Sequence, residues 1–218
     1  MLQEDLKFHP YKLQLVQELL RSDFQLRRRF ARSQLETLGN DPNFLENLFF
    51  CDEAHFHCHG GVNRQDFRYW SDENPHWYAD EPLHSPKVTV WVGIGWNGIV
   101  GPFFWERDRN FPRERGINAR WYQAMLENDA IPALRQLPNF DNLVFMQDGA
   151  PAHFGNDVRA LLDQTFPDRW MGRGSANNPP PIAWPARSPD LTPMDFFFWG
   201  YVKSLAYTDR PFGSVVEL

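Results

Sequence analysis

The chain has 218 residues, of which 42% are apolar, with 9 Trp and 19 Phe among them, and 23% are charged. That length fits one large domain or one domain with an appendage, and the apolar fraction excludes wholesale disorder. A net charge of -6 gives no global electrostatic reason to expect a nucleic-acid partner. No stretch reaches the roughly 20 apolar residues of a membrane-spanning helix, so no membrane partner is expected. The opening MLQEDLKFHP lacks the order of a secretory signal, and two Cys cannot build a disulfide framework. A reducing intracellular compartment is expected.

From residue 11 to 37, Leu13, Val16, Leu19 and Leu20 are followed by Phe24, Leu26, Phe30 and Leu35 at spacings of three and four. The pattern predicts two consecutive amphipathic helices, divided at Ser22-Asp23, with Arg27, Arg28, Arg29 and Arg32 on a polar face. After Gly39-Asn40-Asp41-Pro42 comes a short apolar run, residues 47–52, read as a strand that stops at Asp52. Residues 57–86 change to Gly, Asn, His, Trp and charged residues with little periodicity, as an inserted arm would. Lys87 to Trp96 and Gly98 to Trp105 flank Asn97-Gly98, the strongest short-range hairpin signal.

Residues 118–137 read as a helix capped by Asn118 and kinked or divided at Pro132. Asn142 to Asp148 is a second apolar strand ending in an aspartate, and a helix is expected from Pro151 to Phe166. Residues 167–190, rich in Pro, Gly, Asn and Arg, read as loop; Thr192-Pro193-Met194-Asp195 opens a last helix through Leu205. A hairpin followed by alternating strands and helices predicts a mixed α/β sheet flanked by helices.

Asp52 and Asp148 at strand ends, with Asp195 in the first turn of a helix, form a hard-oxygen set suited to Mg²⁺. Two such ions serve phosphoryl transfer on a polynucleotide. The same acids also suit turns and caps, since Thr192-x-x-Asp195 has the form of a capping box. Of the other candidates, His55, His57, Cys58 and His59 crowd together, with alternation putting the three His on the strand face opposite Asp52, but they lack the second ligand pair of a zinc site. His153, five residues after Asp148, either orients substrate or caps and packs. Asp190 is read as holding the Ser188-Pro189 turn.

The strings FFCDEAHF, GGVNRQDFRYWSDENPHW, FMQDGAPAHF and WPARSPDLTPMDFFFWGYVK, in that order, resemble the mariner/Tc1 group of transposases. The resemblance runs from about residue 9 to about residue 207. It implies a ribonuclease-H-like DDE catalytic domain at 47–218, a helical linker at 1–46, and a clamp-like loop within 57–86. It further implies that Asp52, Asp148 and Asp195 are the catalytic, metal-binding acids holding two Mg²⁺ or Mn²⁺ ions. The activity implied is hydrolysis of double-stranded DNA at transposon ends, then attack of the freed 3′-hydroxyl on target DNA, by a homodimer in the nucleus. Arg64, Arg68, Trp70 and Trp77 of the clamp-like loop, with His153, are the implied contacts to DNA or the partner subunit.

Against the family pattern, the resemblance starts at what looks like the connecting linker, HPYKLQLVQEL, without the helix-turn-helix readers. Between Asp148 and Asp195 lie 46 residues, more than the family spacing, with GRGSANNPPP at 172–181 as an extended loop. Only 23 residues follow Asp195. Two functions are therefore carried forward: an active metal-dependent nuclease and strand transferase, and an inactive remnant that binds DNA or protein.

Overall fold

The computed structural model describes residues 17–58, 86–105, 117–175, 177–207, 212, 214 and 217. In chain order the elements are α1 (Arg21–Asn40), α2 (Phe44–Asn47), β1 (Leu48–His57), β2 (Lys87–Gly95), β3 (Gly98–Trp105), α3 (Ala119–Met125), α4 (Ile131–Leu134), β4 (Val144–Met146), α5 (Asn156–Thr165), β5 (Trp170–Gly172), β6 (Ile182–Ala183) and α6 (Trp199–Ala206). The strands form one sheet in the order β3-β2-β1-β4-β5-β6. β1 and β2 pair antiparallel, as do β2 and β3, whereas β1, β4, β5 and β6 run parallel. The expected mixed α/β sheet is present, and Asn97-Gly98 makes the β2–β3 hairpin with Gly98 at φ 133°.

Alternation along the strands divides the core between the two faces of the sheet. Phe49, Cys51, Phe145 and Trp170 point to one side, packed with Tyr122, Leu126, Val158 and Leu162 from the α3 and α5 region. On the other side, Ala54, Phe56, Val88, Val90 and Val92 pack with Met194 and Trp199. Farther along that face Met146 and Met171 pack with Phe44, Trp184 and Phe30. The helices thus cover both faces, with α1, α2 and α6 sharing the second.

Four expectations about elements are corrected. Residues 17–20 are not helical, and the Ser22-Asp23 interruption is the start of a single 20-residue helix. Asp23 accepts from the Leu20 N–H at 2.8 Å, satisfying a donor that a helix N-terminus leaves open. β1 does not stop at Asp52 but continues to His57, because β2 pairs with it throughout. Pro132 does not break its helix: a π-helical turn, Leu126–Ala130, precedes it, and the Ile131 N–H donates to Leu126 O five residues back. The loop at 167–190 contains β5 and β6, which widen the sheet.

Candidate functional site at the carboxyl ends of the parallel strands

The last β1–β4 pair is Phe50 with Met146, and the last β4–β5 pair is Met146 with Met171. Two residues past these pairs stand Asp52, still on β1, and Asp148 and Arg173, just beyond the ends of β4 and β5. Asp52 lies on the β1 face that packs with α6, whereas Asp148 reaches His153, which also meets Glu53 of the opposite face, and Arg173 lies over Phe154 ahead of α5. Trp199 fixes Asp52 from above, its indole Nε1–H donating to Asp52 Oδ2 at 2.8 Å.

Asp195 approaches over the same face from the π-helical turn Met194–Phe198 that leads into α6. Its neighbour Met194 is fully buried against the sheet. Thr192 caps the turn as expected, its Oγ1 accepting from Met194 N–H at 3.2 Å. The Asp195 carboxylate takes no part in that cap and makes no hydrogen bond among the described residues, so the capping-box role is not the one it plays. The Trp199 N–H reaches back five residues to Met194 O, and π turns of this kind recur at functional sites.

The acids feel one another. Burial, then the charges of Glu53 and Asp195, push the Asp52 carboxyl up to about 7. Burial, then Asp148, raises Asp195 to about 6. A set of mutually repelling, partly desolvated carboxylates is the donor chemistry that a hard divalent cation balances. Among the described residues no group of three His, Cys, Asp or Glu side chains is gathered tightly enough to hold an ion as it stands. The donors fit such an ion in type.

Asp148 differs from its neighbours. Burial works against its charge, but His153 beside it and the Ala150 N–H at 2.9 Å bring its carboxyl below the ordinary value. His153 is buried in the 3₁₀ turn Pro151–Phe154, ahead of α5, rather than at the start of the helix expected there. Its Nδ1 lies 2.7 Å from Asp148 Oδ1 as an ion-pair contact, and its Nε2 is 3.2 Å from Glu53 Oε1. Burial disfavours the imidazolium, yet Glu53 and Asp148 outweigh it and lift the ring to about 10. Tyr122 stacks on the ring at 4.1 Å and donates to Gln147 Oε1, while Gln147 Nε2 donates to His153 O. Sequence reasoning missed Glu53, although the alternation that puts Asp52 on one face puts Glu53 on the other.

A cleft of about 650 Å³ runs beside the acids, lined by Asp148, Gly149, Arg173, Arg187 and Asp195 among others. Its far wall is tied to α1. Arg187 holds the buried Asp23 through two hydrogen bonds, and Arg27 bonds Ser188 Oγ at 2.7 Å and Asp190 Oδ1 at 2.8 Å. Asp190 is thus an ion-pair partner of the helix. Phe30 meets Trp184 edge-on with ring centroids 5.2 Å apart. The α1 segment within the expected linker is therefore docked on the wall that leads to Asp195.

Replacing Asp23 with Ala is expected to release α1, seen as faster hydrogen exchange of its amides with the sheet unaffected. Arg187 holds the Asp23 carboxyl below its ordinary value, so this contribution is present at neutral pH and is lost on acidification. Unchanged exchange in α1 would show that the pair does not secure the helix.

Of the remaining sequence candidates, Arg64, Arg68, Trp70, Trp77 and His59 lie outside the described residues. His55 Nδ1 is 2.8 Å from Thr89 Oγ1, and Cys58 is buried.

The strand order, with helices on both faces of the mixed sheet, is that of a ribonuclease-H-like α/β fold. Among solved structures the chain is similar to the Mos1 mariner transposase paired-end complex with Mg, at a TM-score of 0.71 and 21% identity over 99% of this chain and 58% of that one. It is similar to the Mos1 paired-end complex with the left transposon end at 0.70 and 21%, over 99% and 57%. The Mos1 catalytic domain alone gives 0.62 and 19%, over 93% of this chain and 80% of that one. The chain therefore has the fold of the Mos1 catalytic domain, and spans under three-fifths of the longer Mos1 chains. No protein-family model matches the chain, and no curated protein matches its sequence.

Proposed function

We propose that this chain is a transposase-type catalytic domain, a divalent-metal-dependent DNA endonuclease and strand transferase. The observation that carries the reading is that the acids feel one another just beyond the last β1–β4 pair, the charge of Asp195 raising the Asp52 carboxyl and that of Asp148 raising the Asp195 carboxyl. The likeness to Mos1 structures determined with Mg and with Mn, and with transposon ends, supports it. In this reading Asp52, Asp148 and Asp195 are the ligands of two Mg²⁺ or Mn²⁺ ions, which when bound activate an attacking oxygen and stabilise the leaving one.

The chain's own residues do the rest. Trp199 holds Asp52 to one rotamer through its indole hydrogen bond. His153 keeps Asp148 ionised and ready to bind a cation. The docked α1 supports the loop from which Asp195 is presented. A homodimer acting on two DNA ends is the assembly that goes with this reading, with Arg64, Arg68, Trp70 and Trp77 as its further contacts and the nucleus as its place in a eukaryotic cell.

The test is Mn²⁺ binding by calorimetry, comparing the chain with Asp148→Asn, alongside nicking of supercoiled plasmid. Binding and nicking that are both lost in the variant are the expected result. A chain that binds no Mn²⁺, or a variant that binds as tightly as the parent, overturns the reading.

A further inference from the structure

The segment after β5 departs from the spacing of the family that the sequence resembles, and among the described residues it is built rather than loose. Arg159, on α5 and buried, donates from Nη1 to Arg173 O at 2.8 Å and from Nη2 to Asn178 O at 2.8 Å and Asn178 Oδ1 at 2.9 Å. Ser175 and Asn178 are joined by backbone hydrogen bonds in both directions. A buried guanidinium satisfying carbonyls at both ends of a turn holds its backbone in place.

Arg173, by contrast, is exposed and lines the cleft together with Asp148, each just past the end of its strand. Its guanidinium sits 4.9 Å over the Phe154 ring. Its one acceptor among the described residues is Gly149 O, at the long distance of 3.5 Å. The cleft's other arginine, Arg187, is committed to Asp23, so Arg173 is the cation there without a carboxylate partner among the described residues. A guanidinium with spare donors, oriented by an aromatic face and backed by a fixed turn, matches the fork geometry of a phosphate.

We infer that Arg173 binds a phosphate of the DNA strand lying in this cleft, on the side of Asp148 away from Asp52. The inference rests on the reading of the cleft as a DNA site. The phosphate recognised here belongs to the backbone, so the contact is indifferent to base sequence.

The test is binding of a fluorescent duplex oligonucleotide by anisotropy, with Mg²⁺ present and over a series of NaCl concentrations. The unaltered chain is compared with Arg173→Ala, Arg173→Lys and Arg135→Ala, the last removing an exposed charge elsewhere. Arg173→Ala is expected to weaken binding several-fold and to lower the slope of log affinity against log salt by about one. Arg173→Lys is expected to restore the slope, and Arg135→Ala to leave it unchanged. An Arg173→Ala slope equal to that of the parent, an equal loss in Arg135→Ala, or no DNA binding by the parent chain overturns the inference. Arg173-dependent binding by a chain that takes up no Mn²⁺ would retire the metal reading and keep this one. Mn²⁺ uptake with an unmoved slope would do the reverse.

Discussion

Replacing Asp52 with Asn is expected to abolish metal-dependent DNA cleavage while raising the melting temperature of the metal-free protein. The two effects have one origin. Asn keeps an oxygen to accept from Trp199 Nε1, so the local packing survives, while the charge that would draw a cation is gone. Loss of one ligand from a two-ion site is expected to cost about a thousandfold or more in rate.

The stability gain follows from the carboxyl being pushed from 3.8 up to about 7 by burial and by Glu53 and Asp195. A carboxyl raised on folding favours the folded state when protonated. Its ionisation weakens the fold progressively as pH rises from the ordinary carboxylate range through about 7, and the penalty is complete above that. The upper bound is on the order of 4 kcal/mol, or roughly 8–16 °C in a domain of this size. Thermal melts without metal should show Asp52→Asn above the parent at pH 8 and level with it near pH 4. Mn²⁺ should raise the parent's melting temperature and not the variant's. A variant that still nicks plasmid, or a gap that does not change with pH, would count against Asp52 as an ion ligand.

His153→Ala is expected to act in the opposite sense, destabilising the protein by about 3–5 kcal/mol as the loss of one partner from a buried ionic group does. His153 is 2% exposed and lies between Glu53 and the partly exposed Asp148, so truncation leaves the nearly buried Glu53 carboxylate with no cation beside it. It also removes the ring on which Tyr122 stacks. Urea denaturation near neutral pH measures the loss. A second variant separates charge from packing: Glu53→Gln combined with His153→Ala relieves part of the repulsion and should recover part of the stability. If the double variant is no more stable than His153→Ala, the histidine's contribution is packing alone.

The candidate acids were singled out by a local pattern, an apolar run followed by an aspartate, although β1 runs on past Asp52 and β4 stops before Asp148. Asn118 as a cap and Asn97-Gly98 as a turn were legible for the same reason: the signal and the structure it specifies lie within a few residues. What escaped depends on distant pairing. β5 and β6 are three and two residues long and set among Pro and Gly, so nothing local marks them, and only parallel neighbours make them strands. The continuation of β1 past Asp52 depends on β2, some 40 residues away. Pro132 was misread because a π turn removes the geometry in which proline breaks a helix. The His153–Glu53 contact joins residues 100 apart in the chain and depends on which face each strand position takes.

The alternation of β1 has a consequence for any systematic substitution survey of this protein. Asp52 and Glu53 are adjacent in sequence, yet one belongs with Trp199 and the other with His153. Read position by position from Phe49 to Glu53, the partners of each side chain should therefore change sides at every step. Substitutions at odd positions through Glu53 should lower the yield of folded protein. The conservative change at Asp52 should spare the yield and silence the activity. Two neighbouring acids would then separate cleanly in a paired screen for abundance and for cleavage, although no property of either residue alone distinguishes them.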